Sequence, residues 1–166
     1  MEYMWRGNFD EDNKKIGKGK EYDFDDNIIF EGEYSNDLRI KGVEFYIKGT
    51  KKFEGDYKNN KRWNGFLYDI TNEHKYEIIS GNGFIKEYYE NGCLFFEGEL
   101  KNGEKTGKEK IYDECGHLIF EDNLENGIKQ GKGKTYNYSG DIIFEGEFDK
   151  DKEIKGKDIL KMNKGN

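Results

Sequence analysis

The 166-residue chain contains no proline and no alanine, only two cysteines and two histidines, and 33% hydrophobic residues against 38% charged ones. Without alanine and with 22 glycines, long helices are disfavoured and hairpins favoured. No apolar run approaches the length of a membrane-spanning helix, and Met1-Glu2-Tyr3-Met4-Trp5 has neither the basic nor the apolar segment of an export signal. A cytoplasmic protein is expected. Cys93 and Cys115 precede neighbouring repeat anchors by different distances, so two free thiols are expected, as suits a reducing compartment. A net charge of −7 argues against nonspecific binding to nucleic acid or to an anionic membrane and favours a basic partner.

So little hydrophobic residue would suit a disordered chain, but the aromatics, 16% of the total, recur at fixed places. Phe30-Glu31-Gly32-Glu33-Tyr34 is rewritten at Phe53, Phe96, Phe120 and Phe144, with spacings of 23, 43, 24 and 24 residues. Tyr76-Glu77 fills the long gap as a worn copy, and Trp5-Arg6-Gly7-Asn8-Phe9 adds one upstream. About seven repeats account for nearly the whole chain.

Within a unit, Ile28, Phe30, Gly32 and Tyr34 alternate with Ile29, Glu31 and Glu33, the pattern of a half-buried strand. A polar turn such as Lys101-Asn102-Gly103-Glu104 follows. A return strand then opens on glycine, at Gly17, Gly42, Gly65, Gly83, Gly107, Gly131 and Gly156, which is read as leaving room for a ring from the neighbouring strand. Tyr22, Tyr88, Tyr112 and Tyr136 come five residues after such a glycine. This odd spacing requires either a bulge or rings on both faces.

The expected fold is all-β: an elongated single-layer antiparallel sheet of about seven tandem hairpins, with residues 1–160 as one repeat domain and 161–166 as a polar tail. Its aromatic face is the candidate partner surface, carried by Phe30, Tyr34, Phe53, Tyr57, Tyr88, Phe96, Tyr112, Tyr136 and Phe144.

No catalytic set stands out. The paired glutamates repeat along the chain instead of forming one unusual couple, and they match lysines such as Lys18, Lys20, Lys132 and Lys134 in phase, so cross-strand ion pairs are expected. Gly131-Lys132-Gly133-Lys134-Thr135 lacks the first glycine and the following helix of a phosphate loop. His74 and His117 read as turn residues without a ligand partner, and Asp23-Phe24-Asp25-Asp26-Asn27 lacks the glycine and distant glutamate of a calcium loop. No metal and no cofactor are expected.

Aromatic-Glu-Gly-Glu-aromatic, an Asn-Gly turn and a glycine-led return strand at a period near 23 resemble the MORN repeat. The stretch Glu87-Tyr88-Tyr89-Glu90-Asn91-Gly92-Cys93-Leu94 before Phe96 is most similar to the bacterial MORN variant, which occurs in antitoxin and immunity-type proteins. Asp122 and Asn123 replace the anchor's glycine and acid, and the copy at Tyr76 departs after Glu77, so pairing is expected to bulge around both. MORN repeats also accompany plant phosphoinositide kinases, but this chain lacks the Gly-rich-loop, Lys and Asp set for phosphoryl transfer.

The resemblance implies a non-enzymatic protein-binding module with neutralisation of a toxin as its role, and the net acidity suits a basic one. The alternatives are a self-associating scaffold, whose end-to-end form Lys161 and Lys164 would oppose, and a lipid-binding module resting on Lys48, Lys51 and Lys52.

Overall fold

The computed structural model describes residues 4–159. It is all-β, with two open antiparallel sheets, and the chain divides into two compact units, Met1–Gly83 and Phe84–Asn166. The tail 161–166, with Lys161 and Lys164, lies outside the described residues.

The first sheet runs in chain order through β1 (Met4–Phe9), β2 (Lys15–Tyr22), β3 (Ile28–Ser35), β4 (Leu38–Phe45), β5 (Lys51–Lys58), β6 (Lys61–Tyr68) and β7 (Lys75–Ile78). The second comprises β8 (Gly83–Tyr88), β9 (Leu94–Lys101), β10 (Glu104–Lys105), β11 (Gly107–Tyr112), β12 (Leu118–Glu125), β13 (Ile128–Tyr136), β14 (Ile142–Asp149) and β15 (Lys152–Asp158). Both β10 and β11 pair with β9, so they are two parts of one return strand interrupted at Thr106.

The expected single sheet is therefore corrected to two, and the division falls at the worn repeat. Strand β7 has only four residues, and Ile78 stands opposite Gly65, where the earlier strands carry glycine. An isolated Ile79–Asn82 bridge closes the turn that follows, and β8 takes its partner from β9.

Turn chemistry sets the hairpins. Asn36-Asp37, Asn59-Asn60, Asn102-Gly103, Asn126-Gly127 and Lys150-Asp151 all have positive φ at both residues, the geometry whose twist matches that of the flanking strands. Turns also staple neighbouring hairpins: Lys15 N–H donates to Asp37 Oδ1 at 2.8 Å, Arg39 N–H to Asn60 Oδ1 at 2.8 Å and Lys129 N–H to Asp151 Oδ1 at 2.9 Å.

A row of six glycines, Gly7, Gly19, Gly32, Gly42, Gly55 and Gly65, crosses β1 to β6 in direct register. It is the floor on which the rings lie. A Cβ built on Gly32 or on Gly42 would come within 2.5 Å of Phe30 Cζ, so the ring rests on bare backbone of its own strand and the next. Gly17, Gly107 and Gly131, expected to seat rings, do not. They have positive φ and nothing within 4 Å of a Cβ, which makes them bulge residues.

The odd glycine-to-tyrosine spacing resolves as rings on both faces. Tyr112 extends to the charged face, where its hydroxyl donates to Glu97 Oε1 at 2.9 Å, and Tyr136 does the same with Glu121. Bulges occur as well, one before each of four anchors: Ile29, Lys52, Ile119 and Ile143 are the residues skipped in the pairing. Of the two bulges expected, the one around Asp122 is present, since the register shifts between Asp122 and Leu124 and Asp122 has φ 114°, whereas β7 pairs with β6 through Tyr76 and Glu77 without a shift.

Candidate functional site

Among the nine aromatic residues expected to meet a partner, Phe30, Tyr34, Phe53, Tyr57, Phe96 and Phe144 are buried. Tyr88, Tyr112 and Tyr136 are half-buried. The anticipated exposed ladder is thus largely interior. Four of the anchor rings are covered from outside by a cation, and Phe30, Phe53, Phe120 and Phe144 rest on glycine backbone.

Nine residues after the anchor phenylalanine, four repeats place a cation over its face: Arg39 at 4.2 Å from the Phe30 centroid, Arg62 at 5.4 Å from Phe53, Lys105 at 4.0 Å from Phe96 and Lys129 at 4.6 Å from Phe120. Each such contact is worth roughly 0.5–2 kcal/mol, more as it is desolvated. The fifth repeat has Glu153 in that place, and Phe144 is 7% exposed where the other four anchor rings are at 0 or 1%. Edge-to-face rings fill the sides, with centroids 5.4 Å apart for Phe30 and Tyr34 and 5.3 Å for Phe144 and Phe148. The nine-residue spacing from anchor phenylalanine to cation is itself a period of the sequence.

The covering cations are themselves paired. Arg39 bonds Glu21, whose other oxygen accepts from Lys15 Nζ at 2.7 Å; Arg62 Nη2 donates to Glu44 Oε2 at 2.6 Å, and Tyr57 Oη to Glu44 Oε1 at 2.9 Å. Burial works against ionisation of Glu21 and Glu44, but Lys15 and Arg39 on the first and Arg62 on the second outweigh it and hold both carboxyls below the usual range.

The opposite face carries the expected ion pairs. Lys20 lies 3.1 Å from Glu31, Lys86 2.9 Å from Glu97, Lys110 3.4 Å from Glu97 and Lys134 3.7 Å from Glu145. Between such rows run shallow open grooves floored by glycine backbone. One of about 570 Å³ in the first unit lies between Lys18, Lys20, Glu31 and Glu33, and one of about 500 Å³ in the second between Lys132, Lys134, Glu145 and Glu147. Their walls alternate in charge and repeat.

One acid is different in kind. Glu109 stands where the sister return strands have Gly19 and Gly133; it is 2% exposed, and neither carboxyl oxygen has a hydrogen-bond partner. Burial pushes its pKa up to about 7, with Lys105 and the Glu99 and Thr106 amides opposing in part.

At the other end of the hairpins, five-residue loops join one repeat to the next. Some open on an acid or an amide whose side-chain oxygen accepts from the third and fifth amides, Asp23 from Asp25 and Asn27, and Asn137 from Ser139 and Asp141, all at 2.9 Å, whereas Tyr46 and Tyr89 open two others. The second position projects outward, leaving Phe24 72%, Ile47 50% and Tyr138 79% exposed. In loop 113–117 the same turn brings Asp113, Cys115 and His117 together, so His117, expected to stand without a ligand partner, has two. Both cysteines are free, as expected.

No family model matches the chain, and no curated protein matches it.

Proposed function

We propose that the chain is a non-enzymatic protein-binding repeat module, built on MORN-like hairpins, that blocks a basic protein such as a toxin domain. The observation that carries the reading is the set of large apolar side chains displayed at one repeat position. Phe24 and Tyr138 stand in water on loops clamped by their own side-chain hydrogen bonds, and Ile47 occupies the same position in the loop after β4. Exposed apolar groups held on ordered loops are features of interaction surfaces. The net charge of −7 supplies long-range attraction for a basic partner. The repeating walls of the charged-face grooves suit contact along a surface better than one reaction at one point.

Self-association is the second reading. It is favoured by β1 and β15, which stand at the ends of their sheets with one paired neighbour each, and by Ile154 on β15, 60% exposed. Lipid binding gains no such support, since Lys51 is 2.8 Å from Glu54 and Lys52 lies over the Tyr46 ring.

The test is capture from host lysate on the immobilised chain, beside a variant carrying Phe24→Ser, Ile47→Ser and Tyr138→Ser, with light scattering for mass. One stoichiometric basic protein that the variant fails to hold supports the binding module. Concentration-dependent growth in mass with no captured protein moves the reading to a scaffold.

A further inference from the structure

We propose that loop 113–117 is a binding site for one divalent cation of the zinc class, held by the Asp113 carboxylate, the Cys115 thiolate and the His117 imidazole. The ligand atoms of the three residues lie within 4.8 Å of one another, and His117 Nδ1 is 3.1 Å from Asp113 Oδ2. Small side-chain rotations bring such a set onto a common ion at the 2.0–2.3 Å bond lengths of zinc sites. The mixed sulfur, nitrogen and oxygen donors select zinc-like ions over calcium and magnesium, which take oxygen.

The loop's fold does not by itself account for these residues. Asp113 Oδ1 accepts from the Cys115 and His117 amides at 2.9 Å each, the same clamp that the sister loops use. In those loops the third and fifth residues are Asp25 and Asn27, or Ser139 and Asp141. The backbone thus tolerates many side chains there, yet this loop carries a thiol and an imidazole at the two clamped positions, beside a carboxylate whose second oxygen faces the imidazole. The nearest parallel, Asp69 with His74 at 2.8 Å, has Thr71 in place of the thiol.

Neighbouring loops hold the site in shape. Asn91 Nδ2 donates to the Glu114 carbonyl at 2.7 Å, and the Tyr138 ring meets the His117 ring edge-on at 5.9 Å. Cys115 and His117 are exposed, so an ion reaches them without opening the sheet. Three protein donors leave a fourth position for water or for a donor from a bound partner.

Cobalt(II) titration of the full reduced chain tests this, reading the thiolate-to-cobalt charge-transfer absorption, followed by displacement with zinc. One equivalent is expected to bind with that absorption. Cys115→Ser should abolish it, and His117→Ala and Asp113→Asn should each weaken binding more than about tenfold. Asp113→Asn keeps the turn, as Asn137 does in its own loop, so its loss would report the ligand and not the fold. Cys93→Ser and His74→Ala should leave the absorption unchanged. No absorption at stoichiometric metal, its survival in Cys115→Ser, or its loss in Cys93→Ser would overturn the proposal.

Discussion

Glu109 lies directly across the β11–β12 pair from Asp122, and the two acids begin a row that continues as Gly133, Gly146 and Gly156. Two departures from the repeat, remote in sequence, are thus one structural event. Where a ring would otherwise lie on the glycine floor, the Glu109 carboxyl lies over Gly98, so near that a Cβ there would be 2.1 Å from Oε2.

Glu109 makes stability depend on pH. Its pKa rises from 4.5 to about 7 on folding, chiefly through burial, so the folded chain holds a proton that the unfolded chain releases. Its contribution to stability is fully present below pH 4.5 and is lost as pH rises to about 7, a change of up to about 3 kcal/mol. Lys105 offsets part of this, while Glu99 adds to it. Denaturation midpoints across that range should show the slope in the parent and a flatter profile in Glu109→Gln; equal slopes would refute the assignment.

Gly42→Ala should cost about 2–3 kcal/mol, because its Cβ would meet the Glu31 carbonyl and Phe30 Cζ at 2.5 Å each. Gly17→Ala meets no atom and carries only the strain of φ +67°, about 1 kcal/mol. Chemical denaturation of the two variants measures the difference between a ring seat and a bulge.

Arg39→Met removes the cover of Phe30 and one of the two partners of buried Glu21, an expected loss of about 3 kcal/mol. Adding Glu21→Gln should recover part of it, because the uncompensated charge is then gone. A double-mutant cycle on denaturation free energies gives the coupling.

Glu153→Arg supplies the fifth repeat with the missing cation above Phe144. A gain of about 0.5–1 kcal/mol is expected, partly offset by loss of the 3.4 Å Thr135–Glu153 hydrogen bond. Thermal unfolding of the second unit reads it.

The local layer was legible in the chain. Alternation around Phe30, the Asn-rich turns and the ion pairs of Lys20 with Glu31 depend on contacts a few residues apart or directly across a hairpin, and these are imprinted as period and residue type. The ring ladder, expected to lie partly exposed, is largely buried, and Tyr112 and Tyr136 extend to the opposite face. Its cover comes from Arg39, Arg62, Lys105 and Lys129, which reach the rings only once the return strand has folded back past its bulge.

From residues alone came the repeat, its antiparallel hairpins, the two faces and the acidic surface, because backbone pairing, turn conformation and charge are properties of short segments. Tertiary register settled which glycines seat rings, why Glu109 is left buried and unpaired, that Ile78 ends the first sheet, and that Asp113, Cys115 and His117 share one small volume. The seating of the rings and the place of Glu109 depend on bulges that shift the pairing by a residue, and such a shift exchanges the two faces of a strand, while the loop cluster depends on the Asp113 turn.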